Sequence, residues 1–163
     1  MNVQTKVTAD TLFERDYFAW VQQQVALLQG GDVGALDRHN LAEEVESLGL
    51  SQLSEMQSRM TVIIEHLLKV QYGARREPVA GWKRTIVTQR GDLDDLFENN
   101  RSLRNRAGDR LDRRYRNARK RALLGFEEYE PENLVRYRRV LPLGCPYTVE
   151  QILDEDWLPD PQA

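Results

Sequence analysis

Between Leu53 and Leu68 the apolar residues fall at intervals of three and four: Leu53, Met56, Met60, Ile63, Ile64, Leu67 and Leu68. At 3.6 residues per turn these positions line one broad face, and no alternating strand pattern fits them. A face that wide needs cover from more than one side. The spacing predicts a central helix over about 52–72, and the remaining segments are read as what covers it.

The helical period recurs on either side. A first helix begins near Thr11 or Asp16, either of which suits an N-cap, and carries Phe13, Tyr17, Trp20, Val21, Leu27 and Leu28 before Gly30 and Gly31 stop it. A second runs from about Asp37 to Leu48 with Leu41, Val45 and Leu48 as its buried stripe, closed by Gly49, after which Ser51 caps the central helix. A fourth spans about 80–98 on Trp82, Ile86, Leu93, Leu96 and Phe97. A fifth runs from roughly Ser102 to Leu124 with the thinner stripe Leu103, Ala107, Leu111, Tyr115, Ala118 and Ala122. An irregular stretch after Gly125 leads to Thr148 and Gln151, which form a capping box. Tyr147 and Ile152 have the spacing of a hydrophobic staple, and Trp157-Leu158-Pro159 reads as an apolar anchor. The expectation is one all-α domain, residues 1–163 with an ordered core of about 11–158: a bundle of about five main helices plus a short C-terminal helix.

With 163 residues the chain is long enough to bury a core without disulfides, and the lone Cys145 has no internal partner. Neither a leader pattern nor an apolar run of membrane-spanning length is present, so a soluble, cytoplasmic protein with no membrane partner is expected. The net charge of −3 does not favour general nucleic-acid binding, although the charges are unevenly distributed.

The segments Asp16-Tyr17-Phe18-Ala19-Trp20, Asn40 through Gly49, His66-Leu67-Leu68-Lys69, Trp82-Lys83-Arg84-Thr85-Ile86, Gln89-Arg90, and Pro146-Tyr147-Thr148 through Asp154 occur in this order. In them the chain resembles family twenty-nine of the domains of unknown function, a bacterial and helical family. The chain departs from it at Val70, where an aromatic is more usual, and in the arginine-rich fifth helix. The resemblance implies the fold and a bacterial source; it implies no activity, since the family has none established.

Two groups of residues are candidate sites. In the first, Gln71 and Gln89 lie on otherwise apolar faces, as does Gln24; a buried amide left without a partner costs on the order of 1–3 kcal/mol. With Glu44, His66 and Trp82 they define a candidate ligand pocket, whose alternative is a structural network that sets helix register. A bundle metal site would require inward carboxylates and a Glu-x-x-His pair, which the sequence lacks, so no metal or cofactor is assigned. No nucleophile accompanied by a base at defined spacing appears.

The second group is electrostatic. From Arg101 to Arg121 there are ten Lys or Arg against two Asp, and Arg106, Arg110, Arg113, Arg116 and Lys120 share a face by helical spacing. That stripe suits a polyanion or an acidic partner, or it is a solvated face paired with the acidic segments around it. These residues place a noncatalytic binding or protein-interaction module first, working through a protein partner or a second copy. A nucleic-acid-associated accessory protein using the basic helix 101–121 comes next, and a metal-assisted helical-bundle enzyme built on Glu44 and His66 last.

Overall fold

The computed structural model describes residues 11–74 and 78–162, and among them the chain forms eight α-helices and no strand. In chain order these are α1 (Leu12–Arg15), α2 (Tyr17–Gly30), α3 (Arg38–Tyr72), α4 (Val79–Glu98), α5 (Arg101–Arg104), α6 (Leu111–Tyr129), α7 (Leu134–Val140) and α8 (Val149–Leu153), with 3₁₀ turns at Val33–Ala35 and Pro131–Asn133. Contacts along the chain group into two compact units, Met1–Leu50 and Ser51–Ala163. The all-helical expectation holds.

In the first unit both anticipated caps are used. Thr11 closes a capping box with Glu14 at α1, and the Asp16 carboxylate accepts from the Ala19 N–H at the start of α2. Gly31 ends α2 with φ of 75°, a left-handed conformation that favours glycine. Trp20 and Gln24 are the buried residues of α2. Trp20 Nε1 donates to Asp37 at 3.2 Å, and the Gln24 amide oxygen accepts from the Asp37 N–H at 2.8 Å.

Those bonds overturn the expected stripe of the second helix. Val45 and Leu48 are 66% and 69% exposed, and Leu41 is only half-buried. The face of α2 presents polar atoms that need partners, so Asp37 and Glu44 make the contact instead of the aliphatic residues, with Asn40 donating to Asp37.

Gly49 does not end a helix either. α3 runs unbroken for 35 residues through Gly49 and Ser51, so the anticipated second and central helices are one. Gly49 has no positive φ and no atom near its missing Cβ, and a glycine inside an exposed helix costs only about 1 kcal/mol, too little to break it.

The second unit is built on α3 beyond Ser51, where Met56, Met60, Ile63, Ile64, Leu67 and Leu68 are completely buried as the spacing predicts. α4 adds Ile86, Leu93 and Phe97, and α6 adds Tyr115, Ala118, Ala122 and Phe126. The C-terminal segment is held by a buried cation. Arg90, 2% exposed, donates from Nε to the Ile152 carbonyl, from Nη2 to Gln151 and from Nη1 to Trp157, each at 2.9 Å, with Glu155 at 3.4 Å. The Thr148–Gln151 capping box forms, Ile152 is fully buried, and Trp157 meets the Tyr147 ring edge-on at 5.7 Å.

Three expectations for residues 101–145 are corrected. The fifth helix is interrupted: α5 ends at Arg104, and α6 starts only after Arg110, whose φ is 55°. Asn105, Gly108 and Asp109 favour a turn there, and Asp109 accepts from Arg106 three residues back. Gly125 is not a stop but lies inside α6, against the Lys69 side chain, where an added Cβ would come within 2.9 Å of Lys69 Nζ. The stretch called irregular contains α7, whose Tyr137 stacks on Phe126 at 3.9 Å between centroids. Tyr137 also donates to the buried Glu130 carboxylate, and burial raises its pKa to about 12.

Candidate functional site: an arginine cleft between α3 and α6

The arginines of α6 fall on more than one face. Arg110, Arg113, Arg114, Asn117 and Arg121 are spaced by three and four and form one ridge beside the buried Tyr115, Ala118 and Ala122. On α3, Ser54, Gln57, Ser58 and Thr61 form a matching ridge of mostly short polar side chains. These nine residues line a cleft of about 190 Å³. The short hydroxyl side chains leave the space, and the long guanidinium stems border it.

The cleft is strongly one-sided in charge. Four of its nine lining residues are arginines, and none is acidic. Arg113, Arg110 and Arg121 are exposed, so water solvates them, but Arg114 is only 4% exposed. Its Nη2 donates to the Ala107 carbonyl, which ties the turn to the helix, while Nε and Nη1 have no partner among the described residues. Burial lowers the Arg114 pKa from its ordinary value; Asp109 is the main group opposing that shift, with Cys145 behind it. Burial in turn raises the Cys145 thiol. A buried guanidinium with two idle nitrogens on a carboxylate-free cleft is a donor set without an acceptor. Thr61 cannot serve as a second such donor, because its hydroxyl already donates to the Gln57 carbonyl at 2.8 Å. Ser54 and Ser58 make no side-chain hydrogen bond to another described residue.

A family model described as domain of unknown function DUF29 matches residues 12–158. The chain belongs to this family. No curated protein and no solved structure matches it. The segments that carry the DUF29 resemblance do structural work in this chain: Asp16 caps α2, Asn40 bonds Asp37 at 2.7 Å, Arg90 holds the C-terminal carbonyls, and Thr148 caps α8. The cleft residues lie outside those segments.

The residues of the first sequence-predicted pocket each have a partner or packing contact of their own. Glu44, in the first unit, accepts from the Tyr17 hydroxyl at 2.8 Å. In the second unit, His66 Nδ1 lies 2.9 Å from the Val62 carbonyl as a donor, Gln71 accepts from the Tyr147 hydroxyl at 2.7 Å, and Gln89 accepts from Arg59 at 3.4 Å. Trp82 packs against the core at its margin, its ring beside Gly73. None of these four residues hydrogen-bonds to another of the four. Burial lowers the His66 pKa below 6.5, which favours the neutral ring. Among the described residues no three His, Cys, Asp or Glu side chains gather as a metal site requires.

The arginine stripe is brought together only in part. Arg110 and Arg113 line the cleft; Arg106 pairs with Asp109 at 3.0 Å, while Arg116 and Lys120 are exposed and outside the cleft. Arg114, Arg121, Asn117 and the α3 hydroxyls were missed. The recoverable signal was the spacing of Ser54, Ser58 and Thr61, three short polar residues on one face of an otherwise bulky helix.

Proposed function

We propose that the protein is a noncatalytic binding module that holds the oxyanion of a ligand in the arginine cleft of its second unit. The observation that carries this reading is Arg114: a buried lining residue of the cleft, bonded once, with Nε and Nη1 unpartnered among the described residues, beside three exposed arginines and no carboxylate. An oxyanion in the cleft meets the exposed guanidiniums of Arg110, Arg113 and Arg121 and compensates the buried charge of Arg114 beside them, and charge-assisted hydrogen bonds to a guanidinium are the strong ones. The noncatalytic part rests on the lining residues. They include no His, Asp, Glu, Cys or Lys, so none can take up a proton near neutral pH to drive a transfer step.

The test is orthophosphate titration followed by thermal denaturation and by amide chemical shifts. Millimolar phosphate is expected to raise the melting temperature of the wild-type chain and to shift resonances of Ser54, Ser58 and residues 110–121, with both effects lost in Arg114→Met. Equal responses in the two chains, or none in either, would overturn the reading.

A further inference from the structure

We infer that the ligand is a phosphomonoester whose dianionic terminal phosphate enters the cleft while its organic carrier stays outside; this deepens the binding-module reading and rests on it. Three features of the cleft carry the inference. Its donors come from two facing helices, the guanidiniums from α6 and the Ser54 and Ser58 hydroxyls from α3, so an acceptor between them must offer oxygens in more than one direction. A tetrahedral phosphate does so, whereas a carboxylate presents two oxygens in one plane. Four arginines with no opposing carboxylate favour the higher charge, and a phosphomonoester carries about −1.5 to −2 near pH 7 with three acceptor oxygens.

Size and lining select against the alternatives. The cleft, at about 190 Å³, is smaller than the roughly 300–1,000 Å³ of pockets that enclose whole drug-sized ligands. Its nine lining residues are all polar or charged, with no aliphatic or aromatic wall on which a base or an acyl chain could rest. Recognition therefore stops at the phosphate. A phosphodiester carries a single charge, two unsubstituted oxygens and two substituents to lead out of the cleft, so it offers the four arginines less charge and fewer acceptors than a phosphomonoester.

Calorimetric titration of the full chain with methyl phosphate, dimethyl phosphate and orthophosphate decides the matter. Methyl phosphate is expected to bind about tenfold or more tightly than dimethyl phosphate. Its affinity is expected to fall about tenfold between pH 7.5 and pH 5, because the second phosphate pKa is near 6. The titratable groups on the cleft are Arg110 and the α6 arginines alone, and the α3 side offers only Ser54, Gln57, Ser58 and Thr61; Asp109 and Cys145 also act on Arg114 but do not line the cleft. Inorganic sulfate, a dianion throughout this range, should show no such fall.

Arg121→Gln and Arg113→Gln, both at exposed positions, are expected to weaken methyl phosphate several-fold even if Arg114→Met does not fold. A phosphoserine peptide binding more tightly than glycerol 3-phosphate would place the carrier on a protein, and the reverse order on a small metabolite; both keep the phosphomonoester. Orthophosphate binding with no preference for methyl over dimethyl phosphate overturns this inference alone. Absence of binding by every phosphate overturns the module reading with it.

Discussion

Two arginines are buried to nearly the same degree, and their surroundings treat them differently. Around Arg90 four backbone carbonyls from residues 151–157 converge, so all three guanidinium nitrogens are engaged. Around Arg114 one carbonyl is met, and two nitrogens are left idle on a cleft. Burial lowers the pKa of both, so removal from water is common to them. What differs is compensation: the guanidinium of Arg90 is fully bonded, and that of Arg114 is bonded once.

Chemical denaturation offers the strongest way to break the comparison. Arg90→Met should cost about 3 kcal/mol, since it removes several charge-assisted bonds and leaves buried carbonyls without donors. A loss below about 1 kcal/mol would mean that the C-terminal segment is held by its apolar contacts alone. Arg114→Met should lie within about 1 kcal/mol of wild type in phosphate-free buffer, because replacing a poorly compensated buried charge by an apolar chain of similar length is often neutral or stabilising. A loss as large as that of Arg90→Met would erase the contrast.

His66 sharpens it with the smallest effect, as a buried ionisable group that responds by giving up its charge. Its folded pKa lies below 6.5, so the unfolded chain binds the proton more readily. The resulting stability is present above pH 6.5 and is lost as pH falls through the folded value. His66→Gln should flatten the wild-type decline on the acid side, measured as the difference between the two denaturation midpoints from pH 7.5 to pH 5. Parallel midpoints across that range would mean that His66 is not held neutral.

The sequence makes the fold more legible than the cleft, for identifiable reasons. The α3 stripe from Met56 to Leu68 and the Thr148–Gln151 box are local patterns whose partners lie within a turn or two, and both appear as read. Gly49 misled because glycine permits a helix stop without requiring one. α7 escaped because seven residues between Pro131 and Pro142 give too few apolar positions to show a period.

The cleft depended on which face of α6 borders α3. Sequence spacing joins Arg113 to Arg116 and Lys120 along α6, whereas the cleft lies on the adjacent face, where Arg114, Asn117 and Arg121 accompany Arg113. In the first unit the aliphatic spacing of Leu41, Val45 and Leu48 looked decisive. The contact is instead set by the hydroxyl, indole and amide groups of Tyr17, Trp20 and Gln24, whose need for partners a hydrophobicity pattern does not register.

The clamp on Arg90 also sets a timetable. Its acceptors lie between 61 and 67 residues further along the chain. At ribosomal rates of about 5–20 residues per second, those carbonyls are synthesised roughly 3–13 s after Arg90 itself. For that interval α4 carries a cation in the middle of the face it will later bury, which opposes premature collapse of that face. Compensation of Arg90 therefore waits for residues 151–157, which ties burial of this face of α4 to the arrival of α8.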